Sequence, residues 1–133
     1  EDEEQKIEVY KKIAAIETSE DYDELIDELI DRFGDIPRQV ENLMDISYIK
    51  NNGSKAAIDN IIQLDNQLVL EFSSIDKISP DLIHDLSKEY GRRINFNLSN
   101  SPSFKYRYKK DILSELKELI EKINSFQNKE NKL

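Results

Sequence analysis

Ile7, Val9, Tyr10, Ile13, Ala14 and Ile16 recur at three- and four-residue steps, so residues 5–17 predict an amphipathic helix whose other side is largely Glu and Lys. Thr18 and Ser19 then offer a hydroxyl to the free amides of a second helix. Glu20, Asp21, Asp23 and Glu24 load its first turns with negative charge, where the helix dipole is positive. In this helix Tyr22, Leu25, Ile26, Leu29, Ile30 and Phe33 make one apolar stripe from end to end, and the opposite stripe is acidic. The pattern assigns Leu29 and Phe33 to the core. Gly34 closes the helix in a left-handed conformation, and Pro37 opens a third in whose first turn its missing amide proton costs nothing. The third helix carries Val40, Leu43, Met44, Ser47 and Tyr48 on one side and is expected to end by Asn51-Asn52-Gly53.

Beyond Gly53 the period changes from three or four to two. Leu68, Leu70 and Phe72 alternate with Val69, Glu71 and Ser73, and the apolar run 56–64 can pair with them across residues 65–67 as a hairpin. Ser79-Pro80-Asp81 starts a short helix with Leu82, Ile83 and Leu86 facing inward, stopped at Gly91. A second hairpin sets Ile94, Phe96 and Leu98 against Phe104, Tyr106 and Tyr108, with Asn95, Asn97, Lys105 and Arg107 on its other face. Ile112, Leu116, Leu119, Ile120 and Ile123 mark a closing helix. Helices and strands that segregate in this way favour an α+β fold with an antiparallel sheet. The expected architecture is one domain over residues 1–133. Its helical lobe of three helices, 1–52, packs on a sheet and two further helices, 53–127, and a polar tail, 128–133, frays.

Charge divides the chain the same way. The net charge of −9 conceals −11 over residues 1–45 and +2 over residues 46–133, and residues 17–35 hold nine carboxylates against the single Arg32. Such a surface repels phosphate backbones and complements a basic protein partner. The absence of cysteine removes disulfides, thiolate metal sites and cysteine nucleophiles, and a lone imidazole, His84, is too little for structural zinc. No apolar run approaches the ~20 residues of a membrane span, and Glu1-Asp2-Glu3-Glu4 is the reverse of a basic signal peptide, so a soluble, cytoplasmic chain is expected. A first residue other than Met suggests a piece of something longer.

Asp23, Asp27 and Asp31, with Glu24 and Glu28 beside them, form a carboxylate stripe of the kind that can bind Mg²⁺ or supply an acid and a base, and His84, with Asp81 and Asp85 nearby, is expected as a surface histidine. Catalytic carboxylates need a desolvated cleft, and an exposed helix side leaves them in water. The glycines Gly34, Gly53 and Gly91 belong to no phosphate-cradling loop, so this chain is not expected to bind ATP by itself. Arg92, Arg93, Lys105, Arg107, Lys109 and Lys110, interleaved with Phe96, Phe104, Tyr106 and Tyr108, offer an alternative function: a nucleic-acid-binding module on the basic hairpin around residues 92–110. Alternation of cations and aromatics onto opposite faces fits a core face plus a solvated face better than a stacking platform.

The stretch Glu28-Leu29-Ile30-Asp31-Arg32-Phe33-Gly34, then Ile36-Pro37 and Asn42-Leu43-Met44-Asp45-Ile46, resembles the C-terminal domain family of bacterial transcription-repair coupling factors, and Val9-Tyr10-Lys11-Lys12-Ile13 is similar to the lead-in of that family. The likeness runs from about Ile7 to Ile123. It departs at Ala57, where the family often has Gly before the first strand, and at Ser47-Tyr48 in place of Ala-Arg. The resemblance implies a non-catalytic regulatory domain without cofactors of its own. It would be joined to an ATP-dependent DNA translocase, helicase-like, with ATP and Mg²⁺ bound outside this stretch. Such a parent removes stalled RNA polymerase and recruits the nucleotide excision repair protein UvrA. The domain would be autoinhibitory, packing on the UvrB-like N-terminal module of the same polypeptide and masking its UvrA-binding surface. By the same resemblance the contacts fall on Glu28, Asp31 and Arg32.

Overall fold

The computed structural model describes residues 2–131, and of these the side chains of residues 3–127. In chain order the elements are α1 (Asp2–Ala14), α2 (Ser19–Phe33), α3 (Arg38–Lys55), β1 (Ile58–Leu64), β2 (Gln67–Phe72), α4 (Pro80–Tyr90), β3 (Ile94–Asn97), β4 (Ser103–Arg107) and α5 (Ile112–Asn131). Five helices and a four-stranded antiparallel sheet make the fold α+β. The chain forms two compact units, residues 1–52 and 53–133.

In the first unit Ile13, Ile16, Tyr22, Leu25, Leu29, Met44 and Tyr48 are buried together, with Val9, Ile26, Ile36 and Val40 packed against them. The first helix ends at Ala14, short of the expected residue 17, and a tight turn carries the chain to Thr18. The third helix runs through Asn51-Asn52-Gly53 instead of stopping there. Its asparagines are occupied elsewhere: Asn51 Nδ2 donates to the Ile16 carbonyl at 2.6 Å, and Asn52 Nδ2 donates to the Glu17 and Tyr48 carbonyls at 2.7 and 2.9 Å. They satisfy orphan carbonyls of the α1–α2 turn, so residue types that commonly end a helix here brace a neighbouring loop. The buried stripe of α3 is also rotated from expectation. Leu43 lies outside, whereas Asp45 lies inside and accepts a 2.6 Å bond from the Tyr22 hydroxyl. Burial and that bond together hold the Tyr22 phenol well above its ordinary value.

The second unit joins both hairpins in one sheet of order β1-β2-β4-β3. Register places Leu70 opposite Phe104, Leu68 opposite Tyr106 and Ile94 opposite Tyr106, so these side chains share one face, and all are buried. Leu82 and Leu86 of α4 and Leu116, Leu119, Ile120 and Ile123 of α5 are buried as well. The other face carries Ile62, Val69, Lys105, Arg107 and Asn95. Val69 is buried even there, because β2 is a central strand and Ile62 and Lys105 flank it. Leu98 and Tyr108, expected as strand residues, fall beyond β3 and β4, and Leu98 is exposed. Backbone helix continues through residues 128–131, where fraying was expected, while Lys132 and Leu133 lie outside the described residues. Ala57, just before β1, adopts φ +64°, a left-handed conformation that a β-carbon disfavours.

Candidate docking surface

The second helix is fixed at both ends before any question of function arises. Thr18 Oγ1 accepts from the Asp21 amide at 3.0 Å and Asp21 Oδ2 accepts from the Thr18 amide at 3.2 Å, a reciprocal cap. At the other end the Gly34 amide donates to the Ile30 carbonyl at 2.8 Å, and Gly34 takes φ +87°. Pro37 stands immediately before α3, and its carbonyl accepts from the Val40 and Glu41 amides. The cap consumes Asp21. Glu20, Asp23, Glu24, Asp27 and Asp31 remain exposed, with no hydrogen bond or ion pair to other described residues.

Glu28 is different. Lys12 Nζ of α1 donates to its two carboxylate oxygens at 2.9 and 2.7 Å, and Arg32 Nη1 donates at 3.2 Å from one turn on. The Lys12 hydrogen bond is the chief cause that holds the Glu28 carboxyl below its usual range; partial burial opposes it and Arg32 adds to it. The guanidinium of Arg32 in turn sits 5.3 Å from the centre of the Phe33 ring. Of the three expected contact residues, Glu28 is therefore joined to both Arg32 and Lys12, and Asp31 alone is left open among the described residues. Lys12 and Glu28 are sixteen positions apart, so no local periodicity marks the pair in the sequence.

Phe33 is the clearest departure from the expected core. It is 52% exposed and Ile30 47%, whereas Leu29, on the same stripe, is 4% exposed. The apolar stripe outlasts the core: after Leu29 the helix has one more turn before Gly34, and among the described residues Ile30 and Phe33 of that turn do not join the buried cluster.

The basic hairpin is built for the interior. Phe104 and Tyr106 are buried, and Arg93 is tied down by Tyr106, by Glu115 Oε1 at 3.1 Å and by stacking on the Tyr90 and Tyr106 rings. Glu115 also accepts from the backbone amides of Lys109, Lys110 and Asp111 at 2.8–2.9 Å and from the Tyr106 hydroxyl at 3.0 Å. Desolvation, the largest single influence on its carboxyl, works to raise it. The amide and hydroxyl bonds together outweigh that and hold it at about 2. The faces of Phe104 and Tyr106 are thus withdrawn from any base, Phe96 and Tyr108 are half-buried, and Lys105, Arg107, Lys109 and Lys110 remain as exposed cations. His84 is exposed, and among the described residues no group of three or more His, Asp or Glu side chains is placed to hold a metal ion. Among the same residues no helix is long and apolar enough to cross a membrane.

The family model of the TRCF domain matches residues 1–83, which includes the whole of the capped acidic helix and its Gly34-Pro37 restart. The chain belongs to the TRCF domain family. A transcription-repair-coupling factor of Staphylococcus epidermidis is 34% identical over 101 residues, 74% of this chain and 9% of that protein. One of Bacillus subtilis is 32% identical over 96 residues, 71% of this chain and 8% of that protein. The chain thus spans less than a tenth of the length of these curated relatives. Its fold matches the crystal structure of a C-terminal domain of transcription-repair coupling factor with a TM-score of 0.79 and 25% identity, covering 95% of this chain and 83% of that one. The TRCF domain is therefore a C-terminal domain of the coupling factors of transcription and DNA repair, and this chain shares its α+β architecture.

Proposed function

We propose that this TRCF domain is a non-catalytic regulatory domain that docks on the UvrB-like N-terminal module of its own polypeptide and masks the UvrA-binding surface there. The parent is an ATP-dependent DNA translocase that removes stalled RNA polymerase, and its motor, ATP and Mg²⁺ lie outside this chain. One observation supports the reading above all: Asp23, Asp27 and Asp31 line a helix capped at both ends and remain exposed, with no hydrogen bond or ion pair among the described residues. Carboxylates four residues apart repel one another along a helix, a cost that a cationic partner removes on docking. A polar surface of this kind suits an interface within one polypeptide that must open again.

Charge reversal tests it. Asp31→Lys in the full-length protein is expected to raise affinity for UvrA while leaving the melting temperature of the domain unchanged; unaltered UvrA binding overturns the masking role. In a mobility-shift titration, the 133-residue chain is expected to leave duplex and single-stranded DNA unshifted. Salt-sensitive micromolar binding would restore the basic hairpin as the functional surface.

A further inference from the structure

The last two turns of α2 present two kinds of group side by side. Asp27 and Asp31 are exposed and unpaired among the described residues, and Ile30 and Phe33, which lie between and after them at helical spacing, are the exposed apolar residues of that helix. Glu28, the third acid nearby, is withdrawn: Lys12 and Arg32 satisfy both its oxygens, and the same Arg32 covers one face of the Phe33 ring. A charged rim around an aromatic that projects from a rigid helix is the composition of a binding anchor, because tight interfaces concentrate their energy in a few buried aromatics surrounded by weaker polar contacts. The first 45 residues carry −11, a charge complemented by a surface that is cationic around an apolar slot.

We propose that Phe33, with Ile30, is the apolar anchor by which a cationic module of the same polypeptide grips this domain. In this arrangement Asp27 and Asp31 form the charged rim, and Glu28 and Arg32 are positioning residues that hold the ring in place. The proposal rests on the docking reading above and deepens it: attraction between charges brings the surfaces together, and removal of Phe33 from water holds them. The two parts separate with salt, since screening weakens exposed charge pairs and leaves apolar burial intact.

The test is UvrA affinity of the full-length protein at low and high salt, with thermal melting as the control for folding. Phe33→Ser is expected to raise UvrA affinity tenfold or more at both salt concentrations, and Phe33→Leu to restore most of the masking. The effect of Asp31→Lys is expected to shrink as salt rises. If Asp31→Lys unmasks and Phe33→Ser does not, the anchor is overturned and the docking reading stands. If neither changes UvrA binding, the docking reading falls and the anchor falls with it. Should Phe33→Ser melt at lower temperature than the parent, Ile30→Gln carries the test, and no rise in UvrA affinity for that variant overturns the proposal.

Discussion

The two units of this chain differ in which of their charges they bond: the sheet unit ties its best-buried ones into a network, and the helical unit leaves one acidic helix side open. In the sheet unit the best-placed charges are bonded within the fold, although Lys105, Arg107, Lys109 and Lys110 stay exposed: Glu115 gathers Arg93, the Tyr106 hydroxyl and three backbone amides, and Lys122 is shared by Glu89 and Glu118 while lying over the Tyr90 ring. In the helical unit Lys12 reaches Glu8 and Glu28, Arg32 joins Glu28, and a row of aspartates stays open among the described residues beside an exposed phenylalanine. Charges that are bonded within the fold maintain it. Those left open add little to stability and are available to something else, and the difference separates scaffold from surface more sharply than composition does.

The largest expected effect that sharpens this contrast lies in the first unit. Leu29→Ala should cost about 3 kcal/mol in denaturant unfolding, because it empties a buried position, whereas Phe33→Ser should cost under about 1 kcal/mol. Equal losses would show that the exposed end of α2 is part of the core after all. Next, Glu115→Ala should cost roughly 2–3 kcal/mol, since several donors lose one acceptor together. Asp31→Ala should fall within about 0.5 kcal/mol.

Acid supplies a second measure of Glu115. Its carboxyl titrates at about 2 in the fold against 4.5 ordinarily, so its contribution is present in full above pH 4.5 and is lost as pH falls from there towards 2. The Glu115→Gln variant should therefore lose less stability than the parent chain over that interval, as followed by circular dichroism. The smallest effect is a gain. Ala57→Gly should stabilise by about 1 kcal/mol, because φ +64° strains alanine and suits glycine. A loss at this position would mean that the greater freedom of glycine in the unfolded chain outweighs the relief of strain.

Much of this was legible in order along the chain. The Thr18 cap, the Gly34 stop, the Ser79 start and the alternation through Leu68, Leu70 and Phe72 each rest on neighbours a few residues apart, and the fold placed them as the pattern predicts. Ala57 stands where the family resemblance leads one to expect glycine, and its backbone is left-handed. The failures share a cause. Phe33 has the periodicity of a core residue, and periodicity tells which side of a helix is apolar without telling how far along its length a neighbour extends. Asn51 and Asn52 read as a helix end because the carbonyls they bond belong to a turn thirty-five positions earlier.

What the sequence determined by itself was the set of elements, their caps, the acidic side of α2 and membership of a family, all of which are encoded in residue types at short separations. Tertiary structure alone decided which of those charges remain open. Lys12 reached Glu28 from another helix, and Glu115 closed on a loop and a strand, because Coulomb and hydrogen-bond energies depend on distance in space and a chain can bring together groups that its sequence keeps far apart.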